Sequence, residues 1–142
     1  MTLPVLPEEK EEARPKQSWS KKFGNAFRGL KLGVRGHSSF FVHFFFAALV
    51  LAAAGILQCD LVEWCLLLLC IGFVLTAELF NSAVETLFRG LDEASKERAW
   101  PCLDVSAGAV LLASILAGVV GGWILLHRLL HFLFPGTVQP GP

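Results

Sequence analysis

The sequence predicts an all-α integral membrane protein: an N-terminal amphipathic surface helix followed by three transmembrane helices. Three observations predict it. Apolar residues make up 54% of the 142-residue chain, which suits one domain and is too apolar for a soluble one; mean hydropathy is +0.59. Three stretches are long and uncharged enough to cross about 30 Å of hydrocarbon. The charges cancel to zero yet are segregated: eight of the twelve Lys/Arg lie between Lys10 and Arg35, and three more, Arg89, Lys96 and Arg98, share one short polar segment. That distribution is a topology signal. No basic face of a soluble fold is present, so nucleic acid is not expected as a partner.

Residues 1–17 are polar, carry three prolines and the cluster Glu8, Glu9, Glu11 and Glu12, and are read as a disordered cytoplasmic tail. They hold no apolar core of a secretory signal. In residues 18–36, Trp19, Phe23, Phe27, Leu30 and Val34 recur at spacings of three and four and fall within an arc of roughly 80°. Lys21, Arg28, Lys31 and Arg35 project largely from the other side. Such a helix either lies in the interface with its bases toward anionic headgroups or packs on the protein's own helices. Residues 38–57 form the first span, where His43 is the sole ionisable group. Residues 61–88 form the second, about 42 Å long, so its last turns stand clear of the hydrocarbon. Residues 89–101 are read as a polar loop. Asp104 opens the third span, 104–127, whose Ser114, Gly118 and Gly122 make a small-residue stripe suited to close helix packing, although glycine is common in such helices anyway. Residues 128–142 are read as a short external tail. The membrane domain thus covers 18–127.

Eleven of the twelve Lys/Arg fall in the N-terminal segment and the 89–101 loop, and none between residues 58 and 63. The positive-inside rule places the N-terminus in the cytoplasm and the C-terminus outside. Cys59, Cys65, Cys70 and Cys102 form no Cys-x-x-Cys pair and read as buried small hydrophobes rather than as disulfides or a metal site.

The chemistry is expected where the second span leaves the membrane. Glu78, Asn81 and Glu85 stand at i, i+3 and i+7, on one helix face. Glu78 follows fourteen uncharged residues, and an acid at the edge of hydrocarbon marks a functional site by default. The plainer reading is an inter-helix hydrogen bond used for assembly. A partly dry Glu78 suits a general base. Glu85, two turns further out and wetter, suits Mg2+ beside phosphate oxygens, with Asn81 between to orient either group. Asp104 lies at a similar depth, and Lys96, Arg98 and Arg28 are near enough to meet phosphates. A base at the membrane edge beside a metal site fits activation of a lipid hydroxyl for attack on a water-soluble phosphate donor.

The stretches AELFNSAVE and LDVSAGAVLLASI resemble the small prokaryotic diacylglycerol kinase/undecaprenol kinase family, whose pattern Glu-x-x-Asn-(Ser/Thr)-Ala-x-Glu, then an Asp opening the third helix, is met at Glu78, Asn81, Ser82, Ala83, Glu85, Asp104, Ala109 and Val110. FGNAFRGLKLGVRGHSSFFVH resembles the family's surface helix and first-span entry. The resemblance runs from about Ser18 to Leu126. It implies an ATP- and Mg2+-dependent lipid kinase of phospholipid metabolism, a homotrimer in the bacterial inner membrane with active sites shared between subunits. It further implies Glu78 as catalytic base, Glu85 as metal ligand and Asp104 as a nucleotide-site residue. The residues' own positions add Lys96 and Asn81 as nucleotide-site residues, and Arg28 and Arg89 as phosphate or lipid contacts.

Three positions depart from the pattern. His37 stands where many relatives carry a second metal-binding Glu, and imidazole is a poor Mg2+ ligand. Arg89 replaces a common acid, and Leu103 replaces the Lys that usually precedes the Asp. Arg89 would then supply the phosphate-facing charge that Leu103 lacks. Two other classes stand beside the kinase: a non-catalytic family relative acting in membrane assembly or regulation, and, more distantly, a small transporter subunit. Diacylglycerol and undecaprenol both offer a primary hydroxyl, and no residue chooses between them.

Overall fold

The computed structural model describes residues 18–35 and 39–134 as four helices: α1 (Trp19–Arg35), α2 (Ser39–Ile56), α3 (Leu61–Arg89) and α4 (Glu93–Leu133). The expected tail 1–17, His37 and the segment 135–142 lie outside the described residues. The last three helices are each long and apolar enough to cross a membrane, and α1 is amphipathic with Trp19, Phe23 and Phe27 exposed. All-helical architecture with a surface helix and three spans is therefore what the chain adopts.

The antiparallel pair α3 and α4 is the backbone of the bundle; α2 and α1 pack more lightly against α3. Its register can be read from cross-links. Asn81 bonds Ser106, the Phe88 and Trp100 rings meet edge-on at 5.5 Å, and Arg128 reaches Glu63. Ala113, Gly121 and Ile124 of α4 are buried against α3. A Cβ placed on Gly121 would sit 3.5 Å from Leu67 of α3, an ordinary contact, so this position faces α3 directly. This shifts the expected small-residue stripe by one position: Ala113, Ala117 and Gly121 face the chain's own helices, whereas Gly118 and Gly122 stay exposed.

The expected loop at 89–101 is corrected to a three-residue turn, because α4 begins at Glu93 and the expected span 104–127 is only its middle. The cause is local. Asp92 caps the helix by accepting from the backbone N–H and hydroxyl of Ser95, Lys96 pairs with Glu93, and Trp100 packs on Phe88. Pro101 removes one backbone donor yet leaves the helix continuous. At the other end α4 continues past 127 to Leu133, so the expected tail starts later. The four cysteines are free, with Cys65 and Cys102 exposed on helix surfaces rather than buried.

The α2–α3 turn is held by a chain of local bonds. Gln58 adopts a left-handed conformation, φ 51°, while the Cys59 N–H bonds back to the Ala54 carbonyl, the pattern of a helix ended by a left-handed residue. Asp60 and Glu63 then form a reciprocal capping box at the start of α3. Arg128 closes it from α4, its Nε 2.9 and 2.7 Å from the two Glu63 carboxylate oxygens and its terminal nitrogen 2.8 Å from Asp60.

Three outcomes follow for the purified protein in detergent. Gln58→Gly relieves the left-handed side chain and stabilises the fold by about 0.5–1 kcal/mol, read as a higher unfolding midpoint. Arg128→Ala unties α4 from the capping box and lowers the thermal midpoint by a few degrees. The Asp60 carboxyl is held below its ordinary 3.8 chiefly by the Glu63 backbone N–H and further by Arg128; Asp92 is held below the same value by Ser95. A lowered folded value means that stability is present above 3.8 and is lost as pH falls through the folded values. Unfolding midpoints measured below pH 4 therefore fall, and they fall less steeply in the double variant Asp60→Asn/Asp92→Asn, which keeps both caps.

Candidate active site

The polar face of α3 is assembled from its own helical spacing and completed by its two neighbours. Glu78 is the deepest member, 2% exposed. A carboxylate there needs donors or a proton, and α2 provides the contacts: Ser39 Oγ donates to Glu78 Oε1, and His43 Nε2 lies 3.7 Å from Oε2. Ser39 is the first residue of α2 and His43 stands one turn on, so one helical face presents both to the two carboxylate oxygens.

Asn81 is buried one turn nearer the end of α3. Its amide nitrogen donates to Glu85 Oε1 at 3.0 Å, and its amide oxygen accepts from Ser106 of α4 at 2.8 Å. The Ser106 hydroxyl also lies 2.9 Å from the Leu103 carbonyl. Asn81 is thus the joint between α3 and α4 as well as the orienting group for Glu85. Glu85 is about one-third exposed and is bonded on its second oxygen by Arg89 at 3.0 Å. Ser82, the neighbour in the motif, is buried with a hydroxyl that has no hydrogen-bond partner among the described residues.

Of the residues named from sequence, Glu78, Asn81, Glu85 and Arg89 therefore lie along one line running outward from the buried part of the bundle. Asp104 is exposed on α4, two residues before Ser106, and the Asn81–Ser106 bond sets it about level with Ala83 to Glu85. Lys96 belongs to the overhanging first turns of α4, where its ammonium pairs with Glu93 at 2.7 Å. Arg28 is exposed on α1. His37 lies outside the described residues. Ser39 and Ser106 were not singled out by sequence; the signals were Ser39 four residues before His43 and Ser106 two after Asp104. Among the described residues no group of three or more His, Cys, Asp or Glu gathers as a ready metal cluster. A Mg2+ site in this bundle would rest on one carboxylate plus substrate phosphates, which that ion accepts. Glu85, oxygen-bearing, partly exposed and held in place, fits that requirement.

Comparison with known proteins bears on the same stretch. The family model described as prokaryotic diacylglycerol kinase matches residues 24–125. A protein named diacylglycerol kinase from Synechocystis sp. is 33% identical over 112 residues, covering 78% of this chain and 64% of that protein. A protein named undecaprenol kinase from Bacillus subtilis is 28% identical over 109 residues, covering 77% of this chain and 89% of that protein. The chain thus spans just under two thirds of the cyanobacterial relative's length. No solved structure matches it. The family match takes in α2, α3 and the α4 segment that carries Asp104 and Ser106, so the motif, the helical architecture and the sequence comparison agree: the chain belongs to the prokaryotic diacylglycerol kinase family.

Proposed function

We propose that the protein is a lipid kinase that moves the γ-phosphoryl group of ATP to the primary hydroxyl of a membrane lipid, with diacylglycerol and undecaprenol as the two substrates that the names of its relatives point to. The observation that carries this reading is the graded acidic face of α3: a buried Glu78 with both oxygens addressed by α2, and a partly exposed Glu85 oriented by Asn81. A kinase acting at an interface needs a base that meets a lipid hydroxyl and a carboxylate that meets the nucleotide. Seven residues of helix, about 10 Å, separate the two.

In this mechanism Glu78 takes the hydroxyl proton as the alcohol oxygen bonds to the γ-phosphorus and ADP departs. Glu85 would hold Mg2+, which would neutralise phosphate charge when bound. Asn81 acts on the nucleotide through Glu85, because its own amide is already engaged on both sides. Asp104, level with Glu85, and Lys96, on the overhang of α4, face the nucleotide from the second helix of the pair; Arg28 on α1 meets the phosphate from the surface. Arg89, drawn back onto Glu85, places a fixed positive charge beside the phosphates. Orientation follows the basic residues, with this end of the bundle in the cytoplasm of a bacterial inner membrane and the Arg128 end outside. Self-association is supported by Gly118 and Gly122, which open onto free space in the single chain; a homotrimer is the number that the family resemblance implies. The pairing of Glu85 with Arg89 also favours a second reading, a relative whose metal carboxylate is permanently neutralised and which serves assembly or regulation.

Labelled ATP, Mg2+ and either diacylglycerol or undecaprenol in mixed micelles separate the two. Transfer to lipid that falls about 10²–10⁴-fold in Glu78→Gln is expected; an intact oligomer with no transfer to either lipid sinks the kinase. Glu85→Gln raises the Mg2+ concentration for half-maximal rate about tenfold, and Arg89→Ala raises KM for ATP. An Arg89→Ala protein with wild-type kinetics removes Arg89 from the site. Gly118→Leu shifts the protein toward monomer on chemical cross-linking while its helical circular dichroism is kept.

A further inference from the structure

The last turns of α4 carry a pair of side chains that phosphoryl transfer leaves unused. His127 and His131 stand four residues apart, on one face of the helix. Their Nε2 atoms approach to 3.3 Å, and the rings meet edge-on, with centroids 4.5 Å apart and planes at 70°. Two imidazole nitrogens that converge in this way need something between them. With both rings protonated, two like charges face each other; with both Nε2 atoms bare, two lone pairs do. A single shared proton relieves the clash through a long N–H···N bond. A metal ion relieves it more fully. Zinc binds imidazole nitrogen at about 2.0–2.1 Å, so two such nitrogens on a tetrahedral ion lie about 3.3–3.4 Å apart. The histidine pair already spans that edge.

The surroundings favour a cation. The pair lies at the C-terminal end of α4, where unpaired carbonyls concentrate negative partial charge. Arg128, roughly 60–100° round the helix, does not oppose it, because its guanidinium is engaged by two carboxylates, Asp60 and Glu63, and that cluster is net negative. Arg128 is level with the first turn of α3, so His131 projects about 4.5 Å beyond that level. His127 is exposed and His131 half-buried, so an ion reaches the pair from solvent.

We propose that His127 and His131 form a binding site for a divalent transition-metal ion, Zn2+, Cu2+ or Ni2+, held through the two Nε2 atoms at the end of the bundle opposite to Glu85. Imidazole suits these ions, whereas Mg2+ takes oxygen ligands, so the site differs from the candidate active site in chemistry as well as in place. It does not depend on the kinase reading. On binding, the ion exchanges two of its waters for the two Nε2 lone pairs, and the proton that one Nε2 carried moves to Nδ1 of the same ring. Both rings stay neutral and no electron is transferred. Among the described residues no third His, Cys, Asp or Glu gathers with the pair, so water completes the coordination. The chelate closes one helical turn and fastens the end of α4 beside the Arg128 tie.

The test uses the full chain in detergent without a polyhistidine tag. Zn2+ binding is measured by equilibrium dialysis, and Cu2+ below one equivalent is added for electron paramagnetic resonance. His127→Gln and His131→Gln are each expected to weaken Zn2+ binding about tenfold or more, and millimolar Mg2+ to leave it in place. The Cu2+ spectrum should show splitting from two imidazole nitrogens in the wild type and from one in each variant. His131→Phe combined with Phe132→His keeps the composition but sets the rings five residues apart, on different faces, and should bind no better than His131→Gln. Saturating Zn2+ should slow hydrogen exchange in the last turn of α4, including the Phe134 N–H that bonds the Leu130 carbonyl, in the wild type and not in His127→Gln/His131→Gln. Unchanged affinity in either single variant, wild-type binding in the shifted pair, a single nitrogen in the wild-type spectrum, exchange that responds alike in both proteins, or displacement of Zn2+ by Mg2+ would each overturn the site. One Zn2+ per two or three chains would assign the ion to a contact between copies and overturn a site within one chain.

Discussion

A carboxylate buried in the apolar part of a helix bundle has to be given donors by its neighbours, and Glu78 imposes that requirement on everything around it. Left alone it would be among the most unfavourable groups in the chain. The requirement is met by where α2 begins. Its first residue is Ser39, and the next turn carries His43, so the entry of the first span is tied to the middle of α3 by polar contacts rather than by shape alone. The same logic recurs one turn outward, where Asn81 is satisfied by Glu85 within its helix and by Ser106 across the helix pair. In lipid, burying one apolar side chain against another brings no release of water, so association rests on close packing and on such bonds. The polar face of α3 is therefore both the candidate site and the device that sets the relative position of three helices.

The opposite end of the bundle is built with the same economy and away from the proposed phosphoryl transfer. Arg128 is the one Lys or Arg of α4 past its first two turns, and it is placed against Asp60 and Glu63, which are already occupied in capping α3. Three bonds from one guanidinium close the α2–α3 turn, hold α4 in register and leave the cluster with a net negative charge. That explains how a lone arginine coexists with the topology signal of the other eleven bases. Its charge is committed to carboxylates of the same chain rather than offered to headgroups.

Much of this was legible in the sequence because membrane helices are specified by length and apolarity, which are one-dimensional properties. The surface helix was legible from the spacing of Trp19, Phe23, Phe27, Leu30 and Val34, and the acidic face from Glu78, Asn81 and Glu85. What escaped was of two kinds. One was local: Pro101 and a run of charges read as a loop, whereas the Asp92 cap and the Phe88–Trp100 contact hold a helix through them. The other was tertiary. Which serine completes which polar group depends on helix rotation and register, so Ser39 and Ser106 had no distinguishing mark, and the packing stripe of α4 was read one residue off, at Gly122 rather than Gly121.

Register also gives physical content to the expected exchange of charge between two departures from the family pattern, Leu103 and Arg89. Asn81 is level with Ser106, and the helices are antiparallel, so Leu103 faces the level of Glu85. Arg89 reaches back along α3 to bond Glu85 at 3.0 Å, which brings its guanidinium to that same level. Leu103 on α4 and the Arg89 guanidinium on α3 therefore stand at one level of the helix pair. On the kinase reading, the positive charge beside the phosphates has changed helix without leaving the site. Guanidinium presents a fixed fork where ammonium presents a mobile point charge, and here one arm of that fork is held by the carboxylate proposed to bind Mg2+. Nucleotide binding in this chain would then involve a competition between Mg2+ and Arg89 for Glu85, and the metal requirement and the phosphate contact become two readings of a single local equilibrium.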